Sequence, residues 1–172
     1  VLATSPDGAR RMAWEAQLAQ ITVDELHERT ARMEASGLPV CWVTDRERPW
    51  IGAVPAIQLS LSDEPGPPTA VDAAVIDGTG VFRESWCPRR RCENDGGAPG
   101  PCPGHGWWRP VEPGVDLSAF VAGVLAGTIR AHRTSRYSRS FLESARIVWT
   151  TRPHVITERT QMEASERRRE HD

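Results

Sequence analysis

The chain of 172 residues contains no lysine, and all 21 of its basic side chains are arginine. No chemical step in this protein can therefore use a lysine amine. The net charge is only -2, so the molecule as a whole does not attract nucleic acid, and any such binding must use a local basic patch. The sequence shows no signal peptide and no long apolar run, which predicts a cytoplasmic location and no membrane contact.

Several signatures of enzymes and scaffolds are also absent from the sequence. There is no P-loop, so we expect no ATP binding by that route, and there is no Gly-x-Ser-x-Gly elbow of a serine hydrolase. Four cysteines in a chain of this length do not make a disulfide scaffold. The chain has no initiator methionine and begins within a strand-like run, so we expect it to be an N-terminally truncated fragment.

The first part of the sequence predicts two strands, a helix and a third strand. Residues 1–18 have the pattern of a hairpin around a two-residue Asp7-Gly8 turn. A capping box, T-V-D-E, opens a helix at Thr22, and Gly37 is expected to end it. The apolar run LPVCWVT (38–44) predicts a buried strand in the same sheet, with the helix as its crossover.

The remainder of the sequence is less regular. Residues 1–129 are interpreted as one truncated α/β domain, interrupted by an insertion rich in Pro, Gly and Cys at 86–110. The other predicted segments are a strand at 53–61, a hairpin at 71–84 that turns at 78–80, a helix at 115–129, an Arg-rich linker at 130–144 and a C-terminal helical extension at 145–172. The first residues of this extension, 145–151, are either a short strand or the entry to the helix.

Glu15 and Gln17 are two residues apart on the return strand, so both side chains lie on the same face. One carboxylate seldom suffices to bind Mg²⁺, and the hairpin register puts the position just before Val1 opposite Glu15. Asp7 is not the missing partner, because eight strand steps at ~3.3 Å place it roughly 26 Å away, and its expected role is the turn. On this pattern alone, an ordinary strand edge is the commoner explanation.

A longer stretch, WEAQLAQITVDELHERTARMEASGLPVCWV (14–43), gives the pair a context. It resembles the competence protein CoiA-like family, whose nuclease domain is of the PD-(D/E)xK, restriction-endonuclease-like type. The resemblance covers residues 1–45 well and the chain to about residue 129 more loosely. The positions that carry it are Glu15-x-Gln17, Arg29-Thr30 and Val40-Cys41-Trp42-Val43.

The resemblance implies a DNA nuclease dependent on Mg²⁺ or Mn²⁺ that acts in DNA uptake or recombination, with single-stranded or branched DNA among the candidate substrates. Glu15 would hold the metal, which would activate water for attack on a phosphodiester. Gln17 stands where the wider superfamily has a lysine, so it can position the water but cannot stabilise charge. The family's motif Asp would precede Val1, so we expect this fragment not to cut DNA. The alternative function is a non-catalytic nucleic-acid-binding or scaffolding module.

A second candidate site lies in the insertion, where the spacing C-x4-C-x9-C-x2-H suits a zinc ion. Three thiolates and one imidazole would close a tetrahedral shell, so the role of Zn²⁺ would be structural. The segment has almost no apolar residues, and metal binding would offset the entropy lost on ordering it. The other interpretations are a reduced loop, or a disulfide with a free thiol. The predicted ligands are Cys87, Cys92, Cys102 and His105; Cys41 is expected in the core.

Arginine and tryptophan supply the remaining candidates for nucleic-acid contact. Arginines on the first helix, in the insertion and in the linker could contact phosphates, although a solvated, flexible linker is the favoured explanation for residues 130–140. The candidates are Arg29, Arg89, Arg90, Arg91, Arg133 and Arg136. Trp107 and Trp108 could stack on unpaired bases, but packing is the commoner role of large aromatics. Trp14, Trp42 and Trp149 are expected in the core.

Overall fold

A computed structural model of the chain describes residues 1–61, 73–85, 105–112, 114–135 and 145–170. These residues form a mixed α/β fold: a six-stranded sheet lies between two helices, and two short sheets and a third helix adjoin it. In chain order the elements are β1 (Leu2–Thr4), β2 (Arg11–Ala16), α1 (Val23–Ala35), β3 (Val40–Thr44), β4 (Ala56–Leu61), β5 (Ala73–Asp77), β6 (Val81–Ser85), β7 (His105–Arg109), β8 (Val115–Asp116), α2 (Leu117–Ala126), β9 (Ile129–Arg133), β10 (Ile147–Thr151) and α3 (Arg152–Glu170).

The six-stranded sheet has the order β1-β2-β3-β4-β5-β8. Strands β2, β3 and β4 run parallel, whereas β1, β5 and β8 pair antiparallel with their neighbours. α1 packs through Leu26 on the sheet face that carries Ala13 and Trp42. α2 packs through Phe120 on the opposite face, against Cys41. Alternation along each strand therefore sends successive side chains into two separate apolar layers.

The predicted order of strand, strand, helix and strand is confirmed, as is the strand at 53–61. Thr22 caps α1 and forms the capping box with Glu25, and hydrogen bonds from Thr22 hold the pKa of Glu25 below its ordinary value. After α1, Gly37 has a φ of 75°, a conformation that a glycine adopts without strain. β3 then pairs parallel with β2, so α1 is the crossover helix.

The register of the first hairpin matches the prediction, but the two-residue turn is wrong. The Gly8 N–H donates to the Ser5 carbonyl, which puts Pro6 and Asp7 at the centre of the tight turn. Proline suits the first central position because its ring fixes φ near -65°. The Asp7 carboxylate accepts a hydrogen bond from the Ala9 N–H at 3.0 Å, so the role of Asp7 is turn chemistry, as expected.

The predicted hairpin at 71–84 is wrong, because β5 and β6 pair in different sheets. Residues 78–80 instead bend the chain around β10: the Trp149 N–H donates to the Gly78 carbonyl, and the Gly80 N–H donates to the Trp149 carbonyl. A side chain at Gly78 would meet the Ala56 carbonyl oxygen at 2.1 Å, so the bend requires glycine. The Gly-Thr-Gly sequence thus indicates a close approach of another backbone segment and not a hairpin turn.

The predicted helix at 115–129 is shorter than expected and covers Leu117–Ala126. The Asp116 carboxylate caps its first turn by accepting from the Ala119 N–H, and Gly127, with a φ of 73°, ends it. The two residues before the helix belong to β8, and Ile129 already begins β9.

The predicted linker at 130–144 is wrong for its first residues, because β9 pairs antiparallel with β10. The residues at 136–144 lie outside the described part of the chain. Of the two alternatives for residues 145–151, the strand is confirmed as β10, and Trp149 is 3% exposed in the core cluster of the main sheet, as predicted. Pro153 lies in the first turn of α3, as predicted.

The predicted insertion at 86–110 is partly regular. Its last residues form β7, which pairs antiparallel with β6 and matches Ser85 with His105. Residues 86–104 lie outside the described part. Among the helices that the structure describes, none has the combined length and apolarity needed to cross a bilayer.

Candidate functional site

The candidate site lies where β2 ends, on the sheet face that α1 covers. Glu15 is paired in register with Trp42 of the parallel neighbour β3, so both side chains point to this face. Gln17 follows the last residue of β2, and its N–H still donates to the Val43 carbonyl. The continued pairing keeps Gln17 on the same face as Glu15, as the sequence predicted.

α1 supplies the second group of side chains. Leu26 and Thr30 are its buried residues and fix which side of the helix meets the sheet. Arg29 precedes Thr30 by one residue, so its stem leaves the helix at the edge of the buried stripe. A half-buried arginine at this edge can cover the sheet with its methylene groups and project its guanidinium over the end of β2.

The guanidinium of Arg29 joins the strand and helix motifs. Its Nη1 donates to Gln17 Oε1 at 3.1 Å, and its Nη2 lies 3.7 Å from Glu15 Oε2. Its Cζ lies 4.5 Å from the centre of the Trp42 ring, a cation–π arrangement. The Glu15 and Arg29 side chains are 37% and 38% exposed, so the group is open to solvent on one side.

A buried hydrogen bond anchors the base of the site. Trp42 is fully buried, and its Nε1 donates to Thr30 Oγ1 at 2.9 Å. The bond ties α1 to β3 directly below Arg29. The motif pair Arg29-Thr30 therefore has two separate roles: Thr30 fixes the helix to the sheet, and Arg29 contacts the polar residues above.

We expect Thr30→Val to lower the free energy of unfolding by about 1–3 kcal/mol, because it leaves the Trp42 N–H buried without an acceptor. Urea denaturation followed by tryptophan fluorescence measures the change. Thr160→Val in α3 is the matched control, since Thr160 is exposed, and threonine and valine have similar helix propensities. An equal effect of the two substitutions would contradict the anchoring role of Thr30.

Gln17 is fixed at both ends of its amide. Oε1 accepts from Arg29, and Nε2 donates to the Ala19 carbonyl at 3.1 Å. Each end keeps further hydrogen-bonding capacity, so the amide can orient a water molecule or a phosphate oxygen. The amide carries no charge, so it cannot stabilise a negative charge as a lysine ammonium group would.

The donor set of the site fits a hard divalent cation in part. Glu15 offers a carboxylate with free lone pairs, because its ion pair with Arg29 is long at 3.7 Å. Val1 pairs with Trp14 through two backbone hydrogen bonds, so a residue joined before Val1 would face Glu15 across the hairpin. Within the described residues, no three His, Cys, Asp or Glu side chains are grouped closely enough to hold a metal.

The other site residues predicted from the sequence lie on other strands or outside the described part of the chain. Arg133 lies exposed on β9, and His105 lies at the start of β7. Burial raises the pKa of the Cys41 thiol well above its usual range, which fits the predicted core position. The other candidates lie outside the described residues: Cys87, Cys92, Cys102, Arg89, Arg90, Arg91 and Arg136.

Sequence reasoning missed a buried carboxylate on α3. Glu158 is 4% exposed, and its Oε1 accepts from Trp108 Nε1 at 2.7 Å and from the Ser135 N–H at 2.8 Å. Its Oε2 lies 2.6 Å from His132 Nε2. Burial alone would raise the pKa of Glu158, but the hydrogen bonds from Ser135, Trp108 and His132 together lower it. The carboxylate joins three separate segments, and its position in a charged helix gave no sequence signal.

Comparison of the chain with models of protein families, with curated proteins and with solved structures found no match in any of the three.

Proposed function

We propose that the chain carries the centre of a CoiA-like, metal-dependent DNA nuclease with a restriction-endonuclease-like core, acting in DNA uptake or recombination. The observation that supports it most is the convergence around Arg29. Three motifs separated by up to 27 positions, from Glu15 to Trp42, meet through the contacts of one guanidinium. The β2–α1–β3 crossover brings the three segments close together, and the nuclease resemblance gives a reason for the carboxylate, amide and guanidinium that meet there.

The residues have distinct roles in the proposed reaction. Glu15 would hold Mg²⁺ or Mn²⁺ together with a carboxylate at the position before Val1, and the bound metal supplies an activated water for attack on phosphorus. Gln17 orients the attacking water through its fixed amide. Arg29 has donors beyond those used on Gln17 and Glu15, and these can hold the scissile phosphate in the fork geometry that guanidinium offers.

Arg29 also gives the alternative function a physical basis. Without a metal, its guanidinium balances the Glu15 charge and satisfies Gln17, so the site is stable without catalysis. A non-catalytic module would retain this arrangement and bind nucleic acid or a recombination partner through its arginines. Metal binding distinguishes the two functions, because only the nuclease needs a second carboxylate beside Glu15.

The test uses two versions of the chain, extended before Val1 by Met-Ser-Asp or by Met-Ser-Ala. We expect the Asp version to bind Mn²⁺ at least about 10-fold more tightly in isothermal titration calorimetry, because a hard cation needs more than one carboxylate. The Ala version controls for the displaced terminal ammonium group. Equal Mn²⁺ binding by the two versions would contradict the proposed metal centre.

We further propose that a structural Zn²⁺ closes the insertion through Cys87, Cys92, Cys102 and His105. The pairing of Ser85 with His105 supports this, since it brings the two ends of the segment side by side. We expect metal analysis to find about one zinc per chain, and Cys102→Ser to release it and lower stability. Cys41→Ala should retain the zinc. A zinc-free protein whose stability is unchanged by Cys102→Ser would refute the assignment.

A further inference from the structure

The β6–β7 ribbon has two faces of different character. The register pairs Phe82 with Trp108, and this face packs against α3 and Val148. The alternation of strand side chains puts Arg83, Trp107 and Arg109 on the opposite face. These three residues are called the Trp107 platform below.

Trp107 is less buried than its neighbour Trp108. Trp108 is fully buried and donates to Glu158, whereas Trp107 is half-buried, and its Nε1, which is itself buried, has no hydrogen-bond partner in the described part of the structure. The hydrogen bond that fixes the ring of Trp108 thus has no counterpart at Trp107. Part of the indole of Trp107 stays accessible on the outside of the ribbon.

Two exposed arginines flank this indole. Arg83 is paired with Trp107 across the ribbon, and the Cζ of Arg109 lies 5.1 Å from the centre of the Trp107 ring. The described members of this face, which also include Val81 and His105, contain no carboxylate. The face is therefore locally basic in a chain whose net charge is -2.

We propose that the Trp107 platform binds single-stranded nucleic acid. One unpaired base stacks on the Trp107–Arg109 pair, and the guanidinium groups of Arg83 and Arg109 contact the flanking phosphates. Unpaired bases are required because stacked bases inside a duplex do not expose their faces, whereas any base in a single strand offers one. The inference rests on the proposed function for the nature of the ligand, a nucleic acid, but the platform lies on a different sheet from Glu15 and does not use the metal proposed at Glu15.

The test measures binding without cleavage. Fluorescence anisotropy of a labelled oligo(dT) is followed with the Glu15→Gln chain at several salt concentrations, without added Mg²⁺ or Mn²⁺ and without a chelator, so that cleavage is avoided and any structural zinc is retained. Trp107→Ala should weaken binding about 10-fold, while Trp107→Phe, which keeps a ring for stacking, should stay within about 3-fold. The double substitution Arg83→Ala/Arg109→Ala should weaken binding and reduce the salt slope by roughly 1.4, the value for two phosphate contacts on a single strand.

Arg159→Ala is the matched control, because Arg159 is an exposed arginine of α3 that pairs with Glu163. It should leave binding within about 2-fold. The same losses with oligo(U) would also support the platform and extend its ligand to RNA. Binding unaffected by Trp107→Ala in a folded chain would overturn the proposal, as would equal, Trp107-dependent binding of a duplex or of poly-glutamate. Failure of the extended chains to bind Mn²⁺ would leave these binding results unchanged, so the two proposals fail separately.

Discussion

Glu158→Ala is expected to lower the free energy of unfolding by about 3–5 kcal/mol. The substitution leaves the N–H of Trp108, the N–H and hydroxyl of Ser135 and the ring nitrogen of His132 without their common acceptor. Because Glu158 is 4% exposed, water cannot readily replace the carboxylate. Because the carboxylate joins α3 to the β6–β7 ribbon and to β9, its removal should weaken the packing of α3 on both.

Urea denaturation measures this loss, and Glu163→Ala on the same helix is its control. Glu163 is 47% exposed and pairs with Arg159 one helical turn away, so its removal should cost about 0.3–0.5 kcal/mol. A loss below about 1 kcal/mol for Glu158→Ala would show that the carboxylate does not hold these segments together.

The same carboxylate predicts a dependence of stability on pH. The pKa of folded Glu158 lies below its ordinary value of 4.5, so the unfolded chain binds the proton more tightly. The contribution of the Glu158 carboxylate to the free energy of unfolding is therefore fully present above pH 4.5, and it is lost as the pH falls through the pKa of the folded state. The stability difference between the natural chain and Glu158→Gln should shrink over this window. A difference that stays constant from pH 6 to about pH 3 would contradict the assignment.

Glu15→Gln in the chain extended by Met-Ser-Asp is expected to lower the rate of DNA cleavage at least about 100-fold. The amide keeps the size and polarity of the side chain but removes the negative charge that a divalent cation requires. The contact with Arg29 should survive, because the amide oxygen still accepts a hydrogen bond. Cleavage of a plasmid and of an oligonucleotide, each with Mg²⁺ and with Mn²⁺, measures the loss.

Glu28→Gln is the control for this substitution, since Glu28 is an exposed residue of α1 next to Arg29. It removes the same charge close to the site without touching the proposed metal ligands, and cleavage should stay within about 2-fold. Urea denaturation should show both variants to be as stable as the parent. Equal cleavage by the Glu15→Gln chain and its parent would remove Glu15 from the mechanism.

The order of the N-terminal elements was predictable because its signals are local. The alternating side chains of β2, the capping box of Thr22 and Glu25 and the continuous apolar run of β3 each act within a few residues. The position of Glu15 beside Gln17 followed from strand periodicity alone. The central role of Arg29 could not be predicted in this way, because it depends on the orientation of α1 about its own axis. The packing of Leu26 and Thr30 on the sheet sets that orientation, and this packing involves residues distant in sequence.

The errors concern elements whose partners are distant in sequence. Residues 130–133 are polar enough to be predicted as a linker, yet they belong to strand β9 because β10 pairs with them. The Gly-Thr-Gly segment at 78–80 has the sequence of a turn, but in the structure it forms backbone hydrogen bonds with Trp149, which is distant in sequence. Glu158 is the extreme case: a carboxylate in a charged helix is normally solvated, and only its three partners from other segments make it a buried hub.

We propose that Glu15, Gln17 and Arg29 form a nuclease centre that a carboxylate opposite Glu15 completes. Its most direct test compares DNA cleavage by the Met-Ser-Asp and Met-Ser-Ala extended chains in Mg²⁺ and in Mn²⁺. We predict cleavage by the Asp chain that EDTA abolishes, and none by the Ala chain. Absence of cleavage by a folded Asp chain that binds Mn²⁺, or equal cleavage by the two chains, would contradict the claim.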